Sequence, residues 1–203
     1  MEINRKREVI ENKNLLIHYI FNQVQKTRGN VIHMKENITI IGFMGTGKTT
    51  IGKRLADIMK RDFIDLDELI ENQTGKPISM IFEEGEKKFR QLEREKIKSL
   101  EKKKNCVISC GGGIILNEEN MEILQQNSDI ILLEASKETI FKHIISDGKE
   151  KRPLLNKEDP LNEIEKILRF RKPLYDKFAS FQIIIDHKSI NEIVNEIIET
   201  LGQ

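Results

Sequence analysis

The chain contains no tryptophan, two tyrosines, two cysteines and four prolines in 203 residues. So few cysteines rule out the disulfide framework of a small secreted scaffold. If Cys106 lies on a strand, four residues carry the chain about 13 Å on to Cys110, beyond disulfide reach. Both read as small buried hydrophobes in a reducing compartment. No apolar stretch reaches the length of a membrane span. The first residues lack the apolar core and cleavage site of a secretory signal, and Glu2, Glu8 and Glu11 argue against a transit peptide, so a cytoplasmic location is expected. Charge of one sign is also missing. Lys and Arg total 34 against 33 Asp and Glu, a net charge of +1. That balance gives no global case for nucleic acid or a membrane as partner. His18, His33, His143 and His187 show no metal-ligand spacing, and none is assigned chemistry.

What the chain does have is regular alternation. Short apolar runs at 38–41, 62–66, 106–109, 129–133 and 181–185 read as strands buried on both faces of a parallel sheet. Helical stripes lie between and after them. Ile51, Leu55, Ile58 and Met59 follow the first strand. Phe89, Leu92, Ile97 and Leu100 mark a helix over 86–103. Ile190, Ile193, Val194, Ile197, Ile198 and Leu201 mark another over 189–201. Ser136 is placed to cap a helix and Pro160 to open one. This predicts an α/β three-layer sandwich around a five-stranded parallel sheet. Two regions stand apart. Residues 1–35 carry one stripe, Leu16, Ile17, Ile20, Phe21 and Val24, and read as an N-terminal extension built on one amphipathic helix. Residues 146–159 are charged and aperiodic and read as a mobile loop. A domain over 36–203 is expected, as a monomer, with the extension's helix covering an apolar patch on the core or, in a dimer, on a second copy.

The run Gly42-Phe43-Met44-Gly45-Thr46-Gly47-Lys48-Thr49 matches G-x-x-x-x-G-K-[ST], a phosphate-binding loop between a strand and a helix. Glycines let successive backbone N–H groups turn inward to phosphate oxygens. The following helix adds its positive N-terminal end. Lys48 would reach the β- and γ-phosphates and the Thr49 hydroxyl would ligate Mg²⁺. Gly45, Thr46, Gly47, Lys48, Thr49 and Thr50 are the expected ATP-binding residues.

Four more signatures follow in order. Phe63-Ile64-Asp65-Leu66-Asp67 places two carboxylates at the end of the second strand, where two residues apart they share a face. Helix N-capping is the competing role, and it suits Asp67 best. Gly85-Glu86-Lys87-Lys88-Phe89-Arg90 opens a helix. Cys110-Gly111-Gly112-Gly113 follows the third strand. Arg152-Pro153-Leu154-Leu155 lies in the loop, and Arg169-Phe170-Arg171-Lys172-Pro173-Leu174-Tyr175 ends a helix. In an open parallel sheet ligands bind beyond the carboxyl ends of strands, so these pieces should meet in one crevice.

Together they resemble the shikimate kinase family over about residues 36–201. The resemblance implies a P-loop kinase fold, ATP and shikimate as substrates, phosphorylation of the 3-hydroxyl, Mg²⁺, and a closing lid. It implies Asp65 holding Mg²⁺ through water, with Thr49 as direct ligand. Asp67 would bind the substrate hydroxyls and take the proton. Arg90 and Arg171 would grip the carboxylate, Arg169 being the competing choice for the second role. Gly111, Gly112 and Gly113 would lie under the ring, and Arg152 would swing in on the phosphates. Lys48, Asp67 and Arg152 are thus the expected catalytic residues. Where many members carry an arginine seven positions before the R-P-L-L motif this chain has Ile145, so wider nucleotide tolerance is expected. Another small-molecule kinase on this scaffold, of gluconate or nucleoside monophosphate type, and a non-catalytic nucleotide-binding switch stay open as alternatives.

Overall fold

A computed structural model describes residues 35–146 and 159–202. The five strands are β1 (Asn37–Gly42), β2 (Asp62–Asp65), β3 (Cys106–Ser109), β4 (Ser128–Glu134) and β5 (Phe181–Ile184). They pair in parallel in the order β2-β3-β1-β4-β5. The chain leaves β1 between β3 and β4, where the strand order reverses. That is the topological switch point at which a crevice opens in such sheets.

Alternation along the strands sorts the core into two faces. Ile38, Ile40, Val107, Ile131 and Leu133 pack with α1 (Lys48–Met59) and α8 (Ile190–Thr200) through Ile51, Leu55, Ile193 and Val194. Ile41, Cys106, Ile108, Ile130 and Leu132 face the other layer. There lie α2 (Leu66–Thr74), α3 (Ile78–Glu83), α4 (Glu86–Leu100), α5 (Glu118–Asn127) and the end of α7 (Pro160–Phe178), contributing Leu66, Ile81, Phe89, Met121 and Tyr175. A third small cluster of Phe43, Ile140, Ile144 and Ile164 joins the loop after β1 to α6 (Lys137–Ser146) and α7. Each fully buried Ile, Leu or Phe contributes roughly 1.5–3 kcal/mol of transfer free energy, so the three clusters fix the ends of the strands relative to the helices.

The expected sandwich is the observed one, with local differences. β2 and β5 are edge strands with partly exposed residues, Ile184 being 57 % exposed, so the expectation of burial on both faces holds for β1, β3 and β4. Leu66 begins α2 instead of ending β2, and α4 stops at Leu100. Helices α3 and α5 escape the periodicity. The first buries only Ile81, and the second places Asn120 on its inward face beside Met121 and Leu124. Ser146 closes α6 and Asp159 caps α7. The interior of the expected lid, with Arg152, lies outside the described residues, as does the predicted N-terminal helix. Cys106 and Cys110 are free and buried. Among the described residues no helix is long and apolar enough to cross a membrane.

Candidate functional site

Helix N-termini differ in what protects them: α1 shares a bare start with the short α3, but the first N–H of α3 is taken by Glu71 Oε1 at 2.8 Å. α2, α5, α7 and α8 are capped by the side chains of Asp65, Asn117, Asp159 and Ser189, and each has an acidic residue in its first turn. α1 starts at Gly47 with no side-chain cap and no acidic residue. Its first N–H groups and its positive end are therefore available to an anion. Gly45 and Gly47 hold φ of +80° and +78°, the left-handed region that a side chain disfavours. The loop is tied to itself through the Phe43 carbonyl. That oxygen accepts from Thr46 N at 3.3 Å, Thr46 Oγ1 at 2.7 Å and Lys48 Nζ at 2.8 Å. The Thr46 side chain is thus buried inside the loop, leaving main-chain groups for a ligand, while Thr49 and Thr50 are exposed.

Beside it lies a second, side-chain wall. Asp65 ends β2. Its Oδ1 caps α2, accepting from Asp67 N at 3.1 Å and Glu68 N at 3.4 Å, and its Oδ2 accepts from Thr49 Oγ1 at 2.7 Å. This corrects the expectation about capping: the cap is Asp65, and Asp67 is released from that role. The two carboxylates converge because a helix starts between them, not because a strand runs through both. Asp67 Oδ1 is buried with no hydrogen-bond partner, and so is Glu93 Oε1. A methyl group on Gly111 would lie 3.0 Å from Asp67 Oδ1 and 3.6 Å from Glu93 Oε1, so both oxygens border one spot. Burial first, and the Asp65 charge second, push the Asp67 carboxyl up to about 6. Burial also raises Glu93, against the pull of Arg90.

Arg90 is held from both sides on α4. Nη1 donates to Glu93 at 3.0 Å and Nη2 to Glu86 at 3.1 Å. A methyl group on Gly113 would sit 2.5 Å from Arg90 Nη2, so glycine there makes room for the guanidinium. Arg171 Nη1 donates to the Gly112 carbonyl at 3.1 Å, and its guanidinium lies 5.7 Å from the Phe43 ring centre. Tyr175 Oη donates to the same Gly112 oxygen at 2.6 Å, and burial pushes its phenol up to about 12. On its other side, a methyl on Gly112 would be 3.2 Å from Met44 N. Gly112 is therefore the joint between the phosphate loop and α7. Arg169, by contrast, is 85 % exposed and pairs distantly with Glu165 at 3.9 Å.

The arrangement pairs a main-chain anion cradle with a pocket of two arginines and two buried carboxylates, the layout of an enzyme that brings a phosphate group to a small anionic acceptor. A family model described as shikimate kinase matches residues 44–202. The chain belongs to the shikimate kinase family. It is 44 % identical to the shikimate kinase of Caldanaerobacter subterraneus over 80 % of this chain and 94 % of that one. It is 43 % identical to that of Dictyoglomus turgidum over 83 % and 98 %. The structure of shikimate kinase from Acinetobacter baumannii in complex with shikimate superposes with a TM-score of 0.77 at 34 % identity, covering 84 % of this chain and 94 % of that one. A gluconokinase from Sinorhizobium meliloti, at 13 % identity and a TM-score of 0.55, shares the fold alone.

For a member of the shikimate kinase family, the expected residues divide clearly. Gly45 to Thr50 line the loop and the start of α1. Asp65, Asp67, Arg90, Gly111, Gly112, Gly113 and Arg171 gather at the carboxyl ends of β2 and β3 with α4 and α7. Arg152 falls outside the described residues. Three residues were missed. Glu93 gave a readable signal, a charge four residues after Phe89 and four before Ile97 on the buried stripe of α4. Tyr175 was read only as part of a frame. His143, assigned nothing, brings Nδ1 within 2.8 Å of the Gly45 carbonyl.

Proposed function

We propose that this chain transfers the γ-phosphoryl group of ATP to the 3-hydroxyl of shikimate, giving shikimate 3-phosphate and ADP. The observation that supports this most is the joint at Gly112. It sets the loop that would hold the triphosphate against the arginine and carboxylates that would hold the acceptor. Arg90 and Arg171 offer planar donor pairs for the substrate carboxylate. Asp67, with its free buried oxygen, accepts from the substrate hydroxyls. As the hydroxyl oxygen bonds to the γ-phosphorus and the bond to the bridging oxygen of ADP breaks, the hydroxyl proton passes to Asp67. A carboxyl near 6 is ionised at neutral pH yet more basic than an ordinary aspartate, which suits the task. Lys48 trades its bond to the Phe43 carbonyl for one to the phosphates and stabilises the charge on them.

Mg²⁺ belongs to the proposal. The exposed hydroxyl of Thr49 and the carboxylate of Asp65, 2.7 Å apart, form a hard-oxygen pair of the kind Mg²⁺ shares with phosphates and water. Bound there through Thr49, and through water by Asp65, it would neutralise phosphate charge. Arg152 would add a cation from the 147–158 segment. Residues 36–203 form the proposed kinase domain and 1–35 an appended segment, in a cytoplasmic monomer that uses neither nucleic acid nor a membrane.

A coupled assay of ADP release tests this. Release dependent on both ATP and shikimate is expected. Release no faster than the blank without shikimate would refute the acceptor, and equal turnover with gluconate would point to another kinase.

A further inference from the structure

α6 grips the phosphate loop at Gly45. Ile140 and Ile144 are both fully buried, and a methyl group on Gly45 would lie 3.1 Å from the Ile140 carbonyl oxygen and 3.1 Å from Ile144 Cγ1. His143 shares this helix face, three residues after Ile140, and brings Nδ1 to 2.8 Å from the Gly45 carbonyl oxygen. A carbonyl only accepts, so Nδ1 carries the proton and donates. The C=O and N–H of a peptide point in opposite directions across one rigid plane. Drawing the Gly45 oxygen out towards α6 therefore turns the N–H of Thr46 the opposite way, where it donates to the Phe43 carbonyl oxygen across 3.3 Å from N to O. An acceptor dipole that could face a phosphate oxygen is turned away from it.

We propose that His143 is a positioning residue for the phosphate loop, setting its affinity for nucleoside di- and triphosphates by orienting the Gly45–Thr46 peptide. This deepens the reading of the loop as the ATP cradle and rests on it. The helix that delivers the imidazole is itself braced. Asp186, after β5, accepts from Ser136 N at 3.0 Å, from Ser136 Oγ and from Thr139 Oγ1 at 2.6 Å, at the start of α6. Lys137 pairs with Glu165 on α7. A donor on a fixed helix can hold a glycine peptide that has little preference of its own.

The test uses the full chain with ADP as probe. His143→Leu removes the donor at similar bulk. His143→Asn places an amide nitrogen near the position of Nδ1. His143→Leu is expected to weaken ADP binding by calorimetry about three- to tenfold, the value of one net hydrogen bond. The KM for ATP should rise by the same factor, with that for shikimate within about twofold. His143→Asn should recover most of the loss. Should His143→Leu not fold, His143→Gln, which displaces the donor, carries the same expectation. Unchanged ADP affinity in His143→Leu, or His143→Asn as weak as His143→Leu at equal Tm, would overturn the tether while leaving the cradle intact. A wild-type chain that bound no ADP would overturn the cradle itself, and the tether with it.

Discussion

On the phosphate wall of the crevice the working groups are main-chain atoms, and the side chains around them are already engaged; on the acceptor wall the working groups are side chains, two of which keep a buried oxygen without a partner. Thr46 and Lys48 both donate to the Phe43 carbonyl, and His143 to that of Gly45. Asp67 Oδ1 and Glu93 Oε1 face each other's charge across Gly111 with nothing to accept from. The first wall costs the fold little, because a glycine-rich loop and an uncapped helix end are stable in water. The second places two raised carboxyls in a buried corner, with Lys48 and Arg90 pulling Asp67 down and Arg90 pulling Glu93 down. Sites of that kind oppose folding and favour a ligand that brings donors.

The sharpest way to break this contrast is to remove the charge from the acceptor wall. Asp67→Asn should lower kcat by about 10²- to 10⁴-fold, with nucleotide binding by calorimetry unchanged. In the wild type, an aspartate raised to about 6 must be ionised to accept a proton, so kcat/KM should fall as pH drops below about 6 and lose that limb in the variant. Next in size is Arg171→Ala. Loss of a charge-assisted pair should raise the shikimate KM by about 10- to 100-fold. Tyr175 still holds Gly112, so the ATP KM should stay within about threefold. An equal rise in both would erase the division between the walls. The smallest effect is on stability. The folded-state pKa of Asp67 lies above its unfolded value, so its favourable contribution is complete below about pH 4 and is lost as pH rises through about 6. At pH 8, Asp67→Asn should therefore be more stable than wild type by roughly 1–3 kcal/mol, several degrees in Tm, with the gain vanishing near pH 4. A variant no more stable at pH 8 would show that Asp67 is not strained in the folded protein.

The phosphate wall was legible in the sequence because it is contiguous. Eight residues in one run carry the loop, its glycines and its lysine, and β1 and α1 flank it as the hydrophobic pattern requires. The acceptor wall was legible in its parts through likeness to a family. The partners within it were less so. That Asp65 and not Asp67 caps α2 depends on where β2 stops, a boundary that pattern alone leaves loose by a residue or two. Glu93 could be read from its place on a buried stripe. Tyr175 and His143 could not, because their acceptors, the carbonyls of Gly112 and Gly45, belong to distant loops whose orientation exists only once the sheet is assembled. Helices α3 and α5 failed for a local reason, having too few apolar residues to show a period.

The orphaned oxygens of Asp67 and Glu93 also bear on inhibition. A compound that competes for the loop after β1 meets main-chain amides of a kind common to P-loop proteins at large, so selectivity there is hard to obtain. A small compound carrying an amine or amidine towards Gly111 would give both stranded acceptors a donor at once. Its grip should tighten as pH rises through about 6, where Asp67 takes up its charge.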